Sequence, residues 1–150
     1  MSSYTRITDL AQEVDLPLNI HSRAAGRQTI GMMLERGATR VQLHAFDGRA
    51  ARAEPAVEAG YFFSVPPSIV RSAQKQKLVR RLPLSCLLVE TDSPVLGPEP
   101  DGRNEPANAS LSVQAIAEIK ELPVPEVAAV VTENTMRLYG ERIVTAATAG

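Results

Sequence analysis

Short apolar segments alternate with segments of helical pattern along this chain, and this alternation limits the possible folds to very few. The predicted strands are residues 16–21, 40–45, 61–65 and 86–91. Apolar residues at helical spacing lie between the first strand and the last, and glycine or proline marks most boundaries. Strands that alternate with helices in this way form parallel β/α units with right-handed crossovers. The sequence therefore predicts an α/β protein with a parallel sheet.

The helical patterns predict six helices and leave two architectures open. The helices are expected at residues 4–14, 24–36, 49–59, 68–82, 109–121 and 124–139. Gly37 and Gly60 follow two of them as C-terminal stops. The apolar side of helix 68–82 is expected to carry Ile69, Val70, Leu78, Val79 and Leu82. Four β/α units are compatible with an open doubly wound sheet or with half of a β/α barrel.

Length, charge and cysteine content narrow the class of protein further. The 150 residues suffice for one domain, with the tail at 145–150 expected to fray. A closed eight-stranded barrel needs about 250 residues. The net charge of −1 excludes a wholly basic nucleic-acid binder. The single Cys86 favours a reducing compartment, cytoplasm or nucleus, and we expect neither a signal peptide nor a membrane span.

Three candidate metal ligands fall at the ends of predicted strands. His21 ends the first strand, His44 ends the second and Asp92 follows the fourth. The carboxyl ends of parallel strands meet at one edge of the sheet, where α/β proteins carry their sites. Imidazole and carboxylate groups are ligands for zinc, manganese or magnesium and suit a hydrolytic metal centre. Structural hydrogen bonding by the two histidines is the alternative, which the residues alone leave open.

Several residues near these ligands also permit two interpretations. Arg23 is suited to binding a phosphate or to forming a salt bridge with a loop carboxylate. Asp47 is suited to capping the following helix or to hydrogen bonding a ligand histidine. Glu90 lies two residues before Asp92 and is expected on the same side of the strand. Two such acids are costly inside a protein unless they are paired or bind a metal.

A basic segment and a lone cysteine complete the candidates. Residues 71–81 contain no acid and five cations, Arg71, Lys75, Lys77, Arg80 and Arg81. The structural interpretation is a solvent-exposed helix face, and the functional interpretation is a surface that binds a nucleic-acid backbone. Cys86 lies in an apolar strand without a neighbouring histidine, and we interpret it as a core residue and not a nucleophile.

Five motifs resemble the TatD family of metal-dependent deoxyribonucleases. They are IHSR at 20–23, LHAFDG at 43–48, GYFFSVPPSI at 60–69, LLVETDSPVLGP at 87–98 and RNEPAN at 103–108. Their order and spacing are similar to those of the family, and the resemblance covers roughly residues 8–140. It implies an amidohydrolase-like (β/α) barrel of the TIM type. It also implies a centre of two divalent ions, Mg, Mn or Zn, that hydrolyses phosphodiester bonds, often from the 3′ end of DNA.

The resemblance also implies a role for individual residues. His21 and His44 match the metal-binding histidines that follow the fifth and sixth barrel strands. Asp92 matches the aspartate after the eighth strand, which binds metal and orients or deprotonates the attacking water. Arg23 and Asn104 fall in segments that line the same mouth and are substrate-binding candidates.

Two family features are not found in this sequence. The family has a His-x-His pair on its first strand and a bridging glutamate on its fourth, whereas His21 and His44 are the only histidines here. The chain thus resembles the C-terminal half of the enzyme. A TatD-type nuclease half, of 3′–5′ exonuclease type and inactive if the missing ligands are essential, is one expectation. A non-catalytic binding module derived from a half-barrel is the alternative.

Half of a barrel has open sheet edges, which favour association with another chain. Four apolar residues lie on strands that a full barrel buries on both faces, namely Ile20, Leu43, Phe63 and Leu88. Part of this surface is therefore expected to be exposed to solvent in half of a barrel. The sequence therefore predicts self-association, or pairing with an N-terminal half.

Overall fold

One parallel sheet of four strands organises the molecule. The computed structural model describes the backbone of residues 3–13, 16–21, 26–44, 46, 49–90 and 109–140. The strands are β1 (Leu18–His21), β2 (Val41–His44), β3 (Phe62–Val65) and β4 (Leu87–Val89), and they lie side by side in chain order. Each pairs in parallel with the next. The predicted α/β class with four β/α units, as in part of a barrel, is confirmed.

Among the described residues, six α-helices connect and cover the strands. They are α1 (Ser3–Glu13), α2 (Gly26–Glu35), α3 (Ala50–Glu58), α4 (Ala73–Arg81), α5 (Ala109–Lys120) and α6 (Val124–Tyr139). Gly37 and Gly60, the predicted stops, have φ angles of +70° and +82°, which glycine adopts without strain. In the described part of the chain, none of the helices has the length and hydropathy required to cross a bilayer.

The helix predicted at 68–82 is interrupted, so this prediction was wrong in its extent. Pro67–Val70 forms a 3-10 turn, and α4 begins only after Ser72. The Ser72 hydroxyl accepts a hydrogen bond from the Lys75 N–H at 3.2 Å, which caps the new helix. Because the turn rotates the chain, Ile69 is buried but Val70 is 43% exposed instead of lying on the apolar side of α4.

The two faces of the sheet have different partners. Residues directly paired in a parallel sheet point to the same side, and side chains alternate along each strand. The side facing the helices forms the main core with Leu18, Ile20, Val41, Leu43, Phe63, Val65 and Leu87. The opposite side, here called the inner face, carries Gln42, His44, Phe62, Ser64, Leu88 and Glu90. The apolar core therefore lies on one side and polar groups lie on the other.

The C-terminal end of α6 covers part of the inner face. Leu138 is fully buried and forms a small apolar cluster with Phe62 and Leu88. The Tyr139 hydroxyl contacts Gln42 Oε1 in a hydrogen bond. Because Gln42 and Phe62 lie near the amino ends of their strands, α6 closes this half of the inner face and leaves the carboxyl edge to other residues.

Two arginines hold this end of α6 in place. The Arg40 guanidinium donates two hydrogen bonds, of 3.0 and 2.7 Å, to the Leu138 carbonyl at the end of the helix. The Arg137 guanidinium lies 5.3 Å from the centre of the Phe62 ring. These contacts fasten α6 to β2 and β3.

The expectation that part of the strand surface is wet was wrong for the four residues named. Their exposed fractions are 5% for Ile20, 0% for Leu43, 1% for Phe63 and 3% for Leu88. The first three face the helices, and Leu88 packs against the end of α6. The sheet therefore does not need another chain to bury these side chains.

A buried amide attaches β4 to α6. Asn134 is 2% exposed, and its Nδ2 donates hydrogen bonds to the carbonyls of Leu84 and Leu87 at 3.0 and 2.8 Å. Its Oδ1 accepts a hydrogen bond from Arg137 at 2.8 Å. The amide thus donates to two carbonyls at the entry of β4, where the Leu84 carbonyl also accepts from the Leu87 N–H.

Replacement of this amide should destabilise the fold. Asn134→Ala removes both donors from buried carbonyls, so we expect the free energy of unfolding to fall by about 2 to 3 kcal/mol. Urea denaturation measures this change, and Glu133→Ala, at the exposed neighbouring position of α6, is the control. Equal stability of the two variants would show that Asn134 does not fasten β4.

Candidate metal centre

The carboxyl ends of β1 and β2 bring two histidine positions side by side. His21 pairs directly with His44 across the strands, and His44 pairs with Ser64 on β3. Because paired residues of parallel strands point to the same side, all three positions belong to the inner face. Two imidazole-bearing positions therefore lie at the edge where α/β proteins form their sites.

His44 contacts a carboxylate that reaches it from the far side of β3. The Nδ1 atom of His44 and the Oε2 atom of Glu90 form a close ion-pair contact. Both side chains are 11% exposed. The Glu90 N–H donates to the Val65 carbonyl at 3.1 Å, which extends the β3–β4 pairing by one residue and fixes the carboxylate on the inner face. A carboxylate this buried is stable only with such a partner.

This contact makes His44 suitable for metal binding. The negative charge of the adjacent carboxylate favours a proton on Nδ1, and Nε2, which then carries the lone pair, is the atom suited to bind a metal. Both imidazole nitrogens are shielded from solvent. Metal-binding histidines usually have a carboxylate or carbonyl behind the ring in this way. The donor chemistry at His44 thus fits a divalent ion held through Nε2, with Glu90 setting the orientation of the ring.

Other members of the predicted site lie outside the described residues. These are Arg23, Asp47, Asp92 and Asn104, together with the side chain of His21. Among the side chains that the structure does describe, no three His, Cys, Asp or Glu residues form a metal-binding group. The roles of His21, Asp92, Arg23 and Asn104 therefore stay predictions, and His44 is the one member whose surroundings are seen.

The sequence analysis missed the contact between His44 and Glu90 and the nearby tyrosine. Burial raises the pKa of Tyr139, and the negative charge of Glu90 raises it further, so the hydroxyl stays protonated and donates to Gln42. A signal was present, because Gln42, His44 and Glu90 all occupy the inner-face positions of the two-residue period. The sequence indicated His44 as a metal ligand and Glu90 as a neighbour of Asp92, but not that the two are in contact.

Cys86 is a core residue, as predicted, although it lies in a short 3-10 turn just before β4. It is 6% exposed, and its thiol lies 3.2 Å from the Pro83 carbonyl. Burial raises the pKa of Cys86 to about 12, an effect that the nearby Lys120 and Arg137 charges offset only in part. A thiol with this pKa is protonated at neutral pH and is not a nucleophile.

A parallel β/α sheet with imidazole and carboxylate groups at its carboxyl edge is typical of metal-dependent hydrolases built on β/α barrels. Comparison with known proteins agrees with this class. The model of the family described as TatD related DNase matches residues 2–140, and the chain belongs to that family.

Relatives and a solved structure match most of the chain. It is 55% identical over 134 residues to human deoxyribonuclease TATDN3, covering 89% of this chain and 49% of that protein. It is 38% identical over 136 residues to the Bacillus subtilis uncharacterized metal-dependent hydrolase YabD, covering 87% and 53%. The crystal structure of the Escherichia coli TatD homolog YJJV superimposes with a TM-score of 0.81 at 27% identity, covering 89% and 54%. The chain thus spans about half the length of the relatives it matches.

The carboxylate behind His44 should control metal affinity. Glu90→Gln keeps the shape of the side chain but removes the charge that polarises the imidazole, so we expect the affinity for Mn²⁺ or Zn²⁺ to fall about 10- to 100-fold. Isothermal titration calorimetry measures this change. The matched control is Glu126→Gln at an exposed position in the first turn of α6. If both variants bind as tightly as the unmodified chain, Glu90 has only a structural role.

Proposed function

We propose that this chain carries half of the centre of a metal-dependent phosphodiester hydrolase that acts on DNA, as a 3′–5′ exonuclease. The observation that carries the proposal is the His44 imidazole held by Glu90 at the carboxyl edge of a parallel sheet, in register with His21. Membership of the TatD related DNase family supports the same reaction class. The human relative is named a deoxyribonuclease, and the Bacillus relative a metal-dependent hydrolase.

Each candidate residue has a distinct task in this proposal. His21, His44 and Asp92 hold the divalent metal, Mg, Mn or Zn. When bound, the ion supplies Lewis-acid stabilisation of charge on the phosphoryl oxygens. Asp92 in addition orients the attacking water or accepts its proton. Arg23 and Asn104 hold the phosphate and sugar of the substrate, and Glu90 keeps the His44 ring in its binding orientation.

The burial of His44 and Glu90 at this edge favours the proposed hydrolysis. His44 and Glu90 are each 11% exposed, so their charges act in a medium of lower polarity than water. The end of α6 covers the amino-terminal half of the inner face, with Leu138 fully buried there. Substrate therefore has to approach from the carboxyl edge, where the proposed metal ligands lie.

A nuclease assay tests the proposal. With 5′-labelled single-stranded DNA and Mn²⁺ or Mg²⁺, we expect a ladder of successively shorter labelled products, as removal of nucleotides from the 3′ end requires. His44→Ala and Asp92→Asn each remove a metal ligand, and we expect cleavage to fall by about 100-fold or more. The controls are Gln114→Ala on α5 and Asp9→Asn on α1, which change comparable groups far from the edge.

Other outcomes would reject parts of the proposal. Discrete internal fragments instead of a ladder would rule out the exonuclease type. Activity that survives both His44→Ala and Asp92→Asn would show that these side chains are not ligands. DNA binding without cleavage under any metal condition would overturn the hydrolase function and favour the alternative, a non-catalytic binding module.

We propose further that the open edge of β1 mediates self-association or pairing with a separate N-terminal half. The Leu18 N–H donates to the Arg40 carbonyl at 2.8 Å, so the N–H of Asn19, next along the strand, points away from β2. Such outward N–H groups are available to a strand of another chain.

Sedimentation velocity with an edge variant tests this association. At tens of micromolar we expect a dimer, and Asn19→Pro should shift the chain towards monomer because it removes only the outward donor. Asn19 is exposed, so the substitution removes no side chain from the core. A monomer for the unmodified chain at these concentrations would contradict self-association, and pairing with an N-terminal half would be the part of the proposal that is left.

A further inference from the structure

A groove of about 680 Å³ lies between α3 and α4, on the side of the sheet that faces the helices. Small side chains, including Ala50 and Ala73, leave the space open, and Arg49, Lys77, Arg80 and Arg81 surround it. Arg49, Lys77, Arg80 and Arg81 are all exposed. The groove is separate from the inner face and takes no part in the metal centre.

The charges that line this groove have the same sign, and the nearby Glu54 and Glu58 line a separate depression that adjoins it at Arg81. Of the residues described, no Asp or Glu lines it, and none forms a salt bridge with these four cations. Arg80 and Arg81 lie in the last turn of α4, where positive charge stabilises a helix. Arg49 stands at the N-cap of α3, where positive charge is unfavourable and where its side chain makes no capping hydrogen bond. Helix stability therefore accounts for Arg80 and Arg81 but not for Arg49, whereas attraction of a polyanion accounts for all of these cations.

The groove begins close to the metal centre and runs away from it. Arg49 is five residues beyond His44, and it begins the helix that follows β2. In parallel β/α units the amino ends of helices lie at the carboxyl edge of the sheet, so Arg49 and Ala73 mark the end nearest the site. Lys77 and Arg81 lie one turn apart, about 6 Å along α4. The cations thus form a row that leads from the rim down the outer wall.

We propose that this groove binds the phosphate backbone of single-stranded DNA beyond the nucleotides held at the metal centre. The identity of the polyanion rests on the proposed function, but its binding does not require catalysis. The groove has the volume of a small-molecule pocket, which suits a flexible single strand that can follow it better than a rigid duplex. No aromatic side chain of the described residues lines the groove, so it offers phosphate contacts and no stacking. Binding is therefore independent of base sequence.

Fluorescence anisotropy in EDTA tests binding without cleavage. The probe is a short labelled oligothymidine, titrated with the full chain at several NaCl concentrations. With four phosphates neutralised, the slope of log K against log [NaCl] should be about −3, at about 0.7 per contact for single strands. Lys77→Gln and Arg81→Gln should each reduce the slope by about 0.7 and the affinity about fivefold to tenfold at low salt.

Matched variants distinguish binding in the groove from a general effect of positive charge on the protein. Arg6→Gln removes one charge from an exposed position on α1 and should leave both slope and affinity unchanged. Lys77→Arg keeps the charge and should bind like the unmodified chain. Unchanged slopes in Lys77→Gln and Arg81→Gln would overturn the inference. Polyglutamate that binds as tightly as the oligonucleotide would overturn it as well, because the groove would then be a site for acidic polypeptides.

Hydrolysis of bis(p-nitrophenyl) phosphate with Mn²⁺ distinguishes this inference from the proposed function. The ester is too small to extend into the groove, so Lys77→Gln should hydrolyse it at the unmodified rate. Hydrolysis of the ester without oligonucleotide binding would overturn the inference that the groove binds DNA and would leave the proposed function intact. Groove-dependent binding without hydrolysis would support the groove while the proposed function failed.

Discussion

Every polar contact at the carboxyl edge depends on the parallel register of the four strands. The register places His21, His44 and Ser64 in one row and lets Glu90 reach His44 from beyond β3. Because side chains alternate along a strand, a slip of one residue would turn His44 into the apolar core and expose Leu43. The cost of burying an imidazole among apolar groups therefore protects the register and the candidate site together.

Helix α6 provides contacts that hold β4 in this register. Asn134 binds the carbonyls of Leu84 and Leu87 at the entry of the strand, and Leu138 fills the space beside Leu88. The position of the Glu90 carboxylate, three residues after Leu87, follows from these contacts. Apolar packing and hydrogen bonding thus both hold the short strand β4 in place.

The sequence predicted the elements well because local signals specify them. Short apolar segments identified all four strands, and Gly37 and Gly60 ended their helices at positive φ angles as expected. The break at Ser72 was missed because a 3-10 turn and an α-helix share similar apolar spacing over a few residues. The contact between His44 and Glu90 depends on the register of both residues with the intervening strand β3. The hydrogen bond between Tyr139 and Gln42 joins residues that are 97 positions apart in the sequence. The two-residue period indicates which residues share the inner face, but it does not indicate which of them meet across the strands. Arg23, Asp92 and Asn104 lie outside the described residues, so their roles stay predictions.

The fastening of β4 by Asn134 has a consequence for how the protein is made. Synthesis proceeds from the N-terminus, so the residues of all four strands leave the ribosome before those of α6. Until Asn134 and Leu138 emerge, the entry of β4 lacks its amide partner and Leu88 lacks its apolar cover. The nascent chain thus carries His44 and Glu90 for some time before their surroundings are complete. The Glu90 carboxylate therefore takes its place beside His44 only after α6 has docked on β4.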